Sequence, residues 1–232
     1  MALRMNLFGV DLDAVQNAFG SNDDRILSAA SEHLSEILSD EEAKRLAIAW
    51  TTTLIQKGSL ERTAPTTPED GGLHVYLAES ETHAFAFHAL VQAVSGDGTL
   101  DLSAESSDYQ YGAFPGLIED LRACRFSTSE SCSREFLQAY SNLYRGTPMF
   151  GHKFETDWSF YSIVAKEKVG FLLDGFEAAK QYERKVPDSA PPEMKATART
   201  RVSERGIQFI DEIQAWFRRI KDADLDAYVI WW

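Results

Sequence analysis

Apolar side chains recur every three or four residues along much of the chain, which is the spacing of one buried helix face. The clearest such segments cover residues 26–38 and 165–179. A third covers residues 207–220 and belongs to a long helix that we predict from about Glu193 to Lys221. Helices therefore dominate the predicted structure.

Four short segments have the composition of strands instead. They are residues 5–10, 73–77, 158–164 and 225–232. In the second, Leu73, Val75 and Leu77 alternate with other residues, which is the two-residue period of a strand. Strands this short and few need helices packed against them. We therefore predict an α+β fold: a mostly helical single domain, residues 1–232, with a small mixed sheet that includes both terminal strands.

The last predicted strand is apolar on both faces. Val229 and Trp231 would point to one side, and Tyr228, Ile230 and Trp232 to the other. Such a strand is costly to leave in water and is typical of a sheet that is covered on both sides. We expect it to lie between helices and beside the strand at residues 5–10.

Local signals mark the helix starts and the loops. Asp11 is placed as an N-cap, and Ser39 with Glu42 forms the S-x-x-E pattern of a capping box. Glycine, proline and polar residues predict loops, and we place these at residues 58–72, 95–113 and 186–192.

The chain has 232 residues and a formal net charge of −13. Residues 1–120 carry 6 basic and 20 acidic side chains, whereas residues 121–232 carry 17 basic and 16 acidic ones. The negative electrostatic field of such a chain disfavours binding to nucleic acid and to anionic membranes, and it is compatible with a basic protein partner. Plain solubility also explains the acidic charge, and it is the favoured interpretation because an acidic protein needs no partner to be acidic.

Cysteine usage and the pattern of apolar runs indicate the cellular setting. Cys124 and Cys132 lie eight residues apart with no histidine nearby, so we predict no zinc site. Neither a secretion signal nor a run of about 18 apolar residues is found in the sequence. We expect a soluble, reduced, cytoplasmic protein without a cofactor.

The common nucleotide and nucleophile motifs are absent from the sequence. The nearest approach to a set of metal ligands is the group Glu79, Glu81, His83 and His88. Glu79 and His83 share a helix face, but a third ligand at suitable spacing is missing. The favoured interpretation is a helix N-terminus with acidic residues at the positive end of its dipole.

The segment 151–161 is the strongest candidate for a binding site. It combines a histidine, acidic residues and aromatic residues in a predicted loop that leads into a strand, which is typical of ligand sites. The candidate binding residues are His152, Glu155, Asp157, Trp158 and Tyr161. The alternative is a polar loop whose aromatic residues anchor it to the core. We assign no catalytic residue and no metal ligand.

Lys195, Arg199, Arg201 and Arg205 form a basic group on the predicted long helix. Such a group can bind phosphate or RNA, but aromatic side chains are not interleaved with it. We therefore favour pairing with the acidic N-terminal half of the chain itself.

Two parts of the chain resemble the YfbM-like family of uncharacterised bacterial proteins. The resemblance rests on Phe8–Val15, Phe19–Asp23, Phe209–Phe217 and Ala227–Ile230. It implies an α+β fold and a bacterial cytosolic setting, and it carries no catalytic signature.

Two functions remain open from the sequence. The first is a non-catalytic protein-interaction module, regulatory or immunity-like, that uses the acidic N-terminal half. The second is a small-molecule-binding protein or enzyme that uses the loop 151–161.

Overall fold

A computed structural model describes residues 5–58, 72–103, 113–124, 126, 130–145 and 160–231. The strands are β1 (Met5–Val10), β2 (Leu100–Asp101), β3 (Phe160–Val164) and β4 (Asp226–Trp231). The helices are α1 (Leu12–Ala18), α2 (Asp24–Ile37), α3 (Glu41–Lys57), α4 (Gly72–Ser95), α5 (Ala113–Ala123), α6 (Glu130–Arg145), α7 (Lys166–Gln181), α8 (Pro192–Thr197) and α9 (Glu204–Asp222). A single 3-10 turn, Gly96–Gly98, connects α4 to β2.

The four described strands form one sheet in the order β2-β1-β4-β3. Both terminal strands lie at its centre, with Phe8 opposite Tyr228 and Leu7 opposite Val229. The predicted α+β class, with both terminal strands in the sheet, is confirmed. Every pairing between described strands is antiparallel, where the sequence pattern had indicated a mixed sheet.

Side chains of β4 alternate between two apolar layers. Val229 and Trp231 belong to a core that also contains residues of α5, α6, α7 and α9. Tyr228 and Ile230 belong to a core that also contains residues of α1, α4 and β3. The prediction of a terminal strand covered on both sides and placed beside β1 is therefore confirmed over Asp226–Trp231.

Helices α2, α3 and α4 pack against one another outside the second of these cores. The contact contains several alanines, Ala30 of α2, Ala47 of α3 and Ala86 and Ala89 of α4, together with Leu34. Small side chains allow helix axes to approach closely, so α4 is held between the sheet and the outer pair.

The strand predicted at residues 73–77 is wrong, because α4 begins at Gly72 and runs through it. Leu73 and Leu77 are four residues apart and therefore fit a helix as well as a strand. Strand propensity depends strongly on context, and a helix that continues to Ser95 overrides it here.

The single long helix predicted from Glu193 to Lys221 is also wrong. The chain forms α8, leaves the helical conformation over residues 198–203 and starts again at α9. Asp120 of α5 stabilises the break, since its carboxylate accepts hydrogen bonds from the Arg199 guanidinium and from the backbone N–H of Ser203. A distant carboxylate of this kind cannot be read from local periodicity.

The restart of α9 requires a glycine close to its first turn. The Ser203 hydroxyl caps the helix by accepting from the N–H of Gly206 at 3.1 Å. A Cβ at Gly206 would lie 2.7 Å from Val202 Cγ1 and 2.8 Å from Asp120 Oδ2. The absence of a side chain therefore allows α9 to approach α5.

Helix caps follow the predictions in part. Asp11 caps α1 by accepting from the N–H of Ala14, as predicted. At α3 the cap is Asp40, which accepts from Ala43 N–H at 2.8 Å, so the capping box assigned to Ser39 is wrong by one residue.

Of the predicted loops, residues 59–71 and 104–112 lie outside the described residues. The part of 95–113 that is described contains the 3-10 turn and β2.

Candidate functional site

Tyr161 is the one member of the predicted binding set that the structure describes. Its partners in that prediction, His152, Glu155, Asp157 and Trp158, lie outside the described residues. Tyr161 is on β3 and is buried, with its ring 5.1 Å from that of Phe87 and nearly parallel to it. Burial raises the pKa of its phenol well above the ordinary value, and the neighbouring Tyr228 adds to this. Tyr161 is therefore a neutral phenol within the core.

The same aromatic cluster contains a buried histidine. The ring of His88 on α4 lies 5.5 Å from Phe8, 5.5 Å from His33 of α2 and 5.9 Å from Tyr228 of β4, measured between centroids. Burial, with a smaller contribution from the neighbouring His33, lowers the pKa of His88 to about 3. The imidazole is therefore neutral at physiological pH.

Some polar atoms of α2, α4, β4 and the turn after α4 are buried without a hydrogen-bond partner among the described residues. They are the His33 Nε2, the Gln92 Nε2, the Ser95 Oγ, the Thr99 Oγ1 and the Tyr228 hydroxyl, and they lack a partner among the described residues. We call the set of His33, His88, Gln92, Ser95, Thr99 and Tyr228 the polar seam. His88, Gln92 and Ser95 are spaced by four and three residues, so they share one side of α4. On α4 the seam therefore follows one side of the helix from His88 to Ser95.

These unpartnered atoms are energetically unusual. A buried polar group without a hydrogen bond costs about 1–3 kcal/mol, and native proteins hold few of them. Groups of this kind are satisfied by ordered water or by a bound molecule.

Access to the seam differs along its length. His88 and Tyr228 are buried, whereas His33, Gln92, Ser95 and Thr99 are partly exposed. A molecule could therefore reach the seam from the side of α2 and the end of α4. The six residues of the seam include no carboxylate, but Glu36 Oε2 lies 3.8 Å from His33 Nδ1 on the protein surface.

The sequence grouped His88 with Glu79, Glu81 and His83, but the structure pairs it with His33. Helix α4 begins seven residues before Glu79, so the interpretation of this group as a helix N-terminus is wrong. The side chains of residues 79, 81 and 83 lie outside what the structure describes. Among the described residues, no three histidine, cysteine or acidic side chains are grouped so that they could hold a metal ion.

The acidic side chains in and beside α1–α3 include helix caps and exposed carboxylates. Asp11, Asp23 and Asp40 are helix caps. Hydrogen bonds from the Arg25 side chain and backbone lower the pKa of Asp23 to about 2. By contrast, Asp24, Glu32 and Glu36 of α2 are exposed and are spaced by multiples of four residues, so they share one side of this helix. We call these three the α2 acidic face.

For the basic group near the C-terminus, the structure agrees with the favoured interpretation at one position. Arg199 pairs with Asp120, which belongs to the acidic half of the chain. Arg201 and Arg205 are exposed. The group is also divided between α8, the break after it and α9, so it does not form one continuous helical stripe.

Most of the seam was missed by the sequence analysis. Gln92 and Ser95 interrupt the apolar part of α4 at helical spacing from His88, and this pattern is a signal that could have been used. His33 and Tyr228 come from distant parts of the chain, and only the fold places them at His88.

Comparison of the chain with family models and curated proteins, and of its fold with solved structures, finds no match. The resemblance to the YfbM-like family therefore stays a prediction. Within the described residues, no helix combines the length and apolar composition needed to cross a bilayer.

Proposed function

We propose that this protein binds a small molecule in the polar seam. The observation that supports the proposal is the set of five buried polar atoms without a hydrogen-bond partner among the described residues. They come from α2, α4, the turn after α4 and β4. Ligand sites typically combine apolar walls with a few convergent polar groups, and the aromatic cluster around His88 supplies such walls.

A thermal-shift screen tests this proposal. The panel contains sugars, nucleosides, amino acids, organic acids and phosphate esters. A ligand present at about 100 times its Kd adds about 2.7 kcal/mol to the free energy of unfolding, which raises Tm by several degrees in a chain of this size. We expect at least one class to give a saturable rise in Tm.

Seam variants make the screen specific. Tyr228→Phe and Gln92→Leu each remove an unpartnered polar group, and the rise in Tm should shrink or disappear in both. Tyr140→Phe is the matched control, because it deletes a buried hydroxyl on the opposite side of the sheet. A panel without any saturable shift, or a shift that the seam variants leave unchanged, would contradict the proposal.

A second proposal is that the α2 acidic face docks a basic protein partner. It is supported by Asp24, Glu32 and Glu36, which are exposed on one side of α2. The one arginine or lysine of this helix, Arg25, is already bound to Asp23 by two side-chain hydrogen bonds of 3.2 and 2.9 Å. Electrostatic attraction of this kind mainly accelerates association and is weakened by salt.

Pull-downs at low salt and at about 0.5 M salt test the second proposal, since the higher concentration shortens the screening length to a few ångströms. The test variant combines Asp24→Asn, Glu32→Gln and Glu36→Gln. The control combines Glu183→Gln, Asp188→Asn and Glu193→Gln, three exposed acids elsewhere. We expect a partner that the test variant and high salt both lose and the control retains. Equal retention at both salt concentrations would contradict this proposal.

A further inference from the structure

Two histidines meet where α2 packs against α4. The ring of His33 on α2 lies 5.5 Å from that of His88 on α4, measured between centroids. The His88 ring also contacts Phe8 of β1 and Tyr228 of β4. Phe8 carries no charge, and burial keeps the Tyr228 phenol neutral by raising its pKa well above the ordinary value. Among these described ring contacts, the one with His33 can therefore bring a second positive charge next to His88.

The closed packing disfavours a proton on His88. This residue is 4% exposed, so an imidazolium in its place loses most of its hydration. Burial and the opposing charge of His33 together lower the pKa of His88 to about 3, against 6.5 for the free side chain. If α2 moved away from α4, the His88 ring would be uncovered on the side of His33 and could be hydrated there. Protonation of His88 therefore favours a form in which this side is open.

Helices α2 and α3, with the turn 38–40 between them, are anchored at one end. We call this unit the α2–α3 pair. At the anchored end the N–H of Gly20 donates to the Leu54 carbonyl at 3.0 Å. The N–H of Asn22 donates to the Ile55 carbonyl, also at 3.0 Å. In the part of the chain that the structure describes, no backbone hydrogen bond joins the turn 38–40 to α4 or to the sheet. The turn end is therefore the end that can move.

Small side chains hold much of the α2–α3 pair on α4. Four of the five buried residues in this contact are alanines, namely Ala30, Ala47, Ala86 and Ala89. The larger Ile37 and Ile48 lie at its margin and are only partly buried. Burial of an alanine contributes less free energy than burial of a larger apolar side chain, because less apolar area is removed from water. This contact is also separate from the core that contains Trp231, so that core can stay intact when the contact opens.

We infer that His33 and His88 form an acid-sensitive contact, at which protonation releases the turn end of the α2–α3 pair from α4 while the sheet and the core around Trp231 stay folded. With a His88 pKa of 6.5 in the open form and about 3 in the closed form, the ratio of open to closed molecules should rise about 75-fold between pH 7 and pH 4.5. The release requires neither a ligand nor a protein partner, so its test is independent of both proposed functions.

Hydrogen–deuterium exchange of the full chain, resolved into peptides by mass spectrometry, tests the inference. Isolated helices of this length are marginal in water, so their amides lose protection when the α2–α3 pair leaves α4. After correction for the intrinsic pH dependence of exchange, residues 33–47 should lose protection by the factor given above. At both pH values they should also be at least tenfold less protected than β4. Their opening should depend less on added urea, because release of two helices exposes less surface than unfolding of the whole chain.

Variants assign the proton. His88→Gln and His88→Phe should each remove the pH dependence at residues 33–47, and their different polarity separates loss of the titrating group from altered packing. His33→Gln should make the pH-dependent change smaller, because it removes the opposing charge. The matched control is His152→Gln, which removes a histidine from another part of the chain and should leave the change as in the wild type.

Each part of the inference can be overturned. Equal protection and equal urea dependence at residues 33–47 and in β4 would show that only the whole chain unfolds. A pH-dependent change that both His88 variants retain, or that His152→Gln removes, would place the proton elsewhere. An undiminished change in His33→Gln would exclude His33 from the acid-sensitive contact.

Discussion

The carboxylate of Asp226 links the first and last strands to the helices that follow β1 and β3. Its Oδ2 accepts a hydrogen bond of 2.9 Å from the backbone N–H of Leu12, and its Oδ1 accepts one of 2.8 Å from that of Lys166. Leu12 and Lys166 are the first residues of α1 and α7, so one carboxylate satisfies the free N–H groups of two helix starts. Asp226 is also the residue opposite Val10 in the central strand pair.

Asp226→Asn should lower the free energy of unfolding by about 2 kcal/mol, because the amide keeps one acceptor and points a donor at the other N–H. Urea denaturation followed by circular dichroism measures the change. Asp224→Asn is the control. Asp224 is exposed, its ion pair with Lys166 lies on the surface, and asparagine tolerates the positive φ of 55° at this position. Equal losses in the two variants would show that the two backbone hydrogen bonds do not matter.

Stability should depend on pH through His88. Its pKa is about 3 in the folded protein against 6.5 for the free side chain, and the main cause is burial. The unfolded state therefore binds this proton first as the pH falls. The stabilisation is complete above pH 6.5 and is lost progressively toward pH 3.

The test compares the wild type with His88→Gln, and with His88→Phe as a second variant. Between pH 7 and pH 5 the wild type should lose about 2 kcal/mol more than either variant, from the proton uptake of one histidine. Parallel stability curves for the wild type and both variants would refute the assignment.

Two glycines of α7 should respond in opposite ways to alanine. A Cβ at Gly175 would overlap the buried ring of Phe136, whose Cγ would lie only 2.6 Å away. Gly175→Ala should therefore destabilise the protein by about 1–3 kcal/mol. At Gly170 the nearest atom to an added Cβ is the Lys221 Nζ at 3.6 Å, an ordinary contact. Gly170→Ala should stabilise the helix by about 0.5–1 kcal/mol. Thermal denaturation of both variants checks the signs.

Removal of the C-terminal strand should abolish folding. Deleting residues 228–232 removes most of β4, which pairs with both β1 and β3. We expect an insoluble or unfolded product. A truncated chain with an unchanged Tm would contradict the sheet order.

Trp231→Phe provides a milder form of the same test. The Trp231 side chain is fully buried, and its Nε1 donates to the Leu143 carbonyl of α6 at 2.9 Å. Loss of this bond removes a buried donor from the Leu143 carbonyl and should cost about 1–3 kcal/mol. Urea denaturation measures it, and a change below the error of the midpoint would show that the bond contributes nothing.

The local sequence pattern was sufficient to predict features that depend only on neighbouring residues. The alternation of Val229 and Trp231 with Tyr228 and Ile230 predicted a strand between two apolar layers, and the structure has this arrangement. The carboxylate of Asp11 was enough to predict the start of α1. These predictions succeed because side-chain direction in a strand and capping at a helix end are set within a few residues.

Features that depend on distant contacts required the fold. The helix break before Ser203 is stabilised by Asp120, and the helical state of Leu73–Leu77 comes from the whole of α4. Asp120 lies 83 residues from Ser203, and most of α4 lies beyond the five residues of the predicted strand, so local periodicity alone favours the wrong element.

The candidate site shows the same division. Tyr161, which the sequence predicted as a binding residue, is a buried core residue of β3 and does not belong to the polar seam. The sequence determined by itself that the chain forms an α+β fold around an apolar terminal strand. Only the tertiary structure decided that His33, His88 and Tyr228 meet, because they lie on α2, α4 and β4. An unpartnered polar atom is a property of three-dimensional surroundings. A sequence records which groups can form hydrogen bonds, and packing decides which of them are left without one.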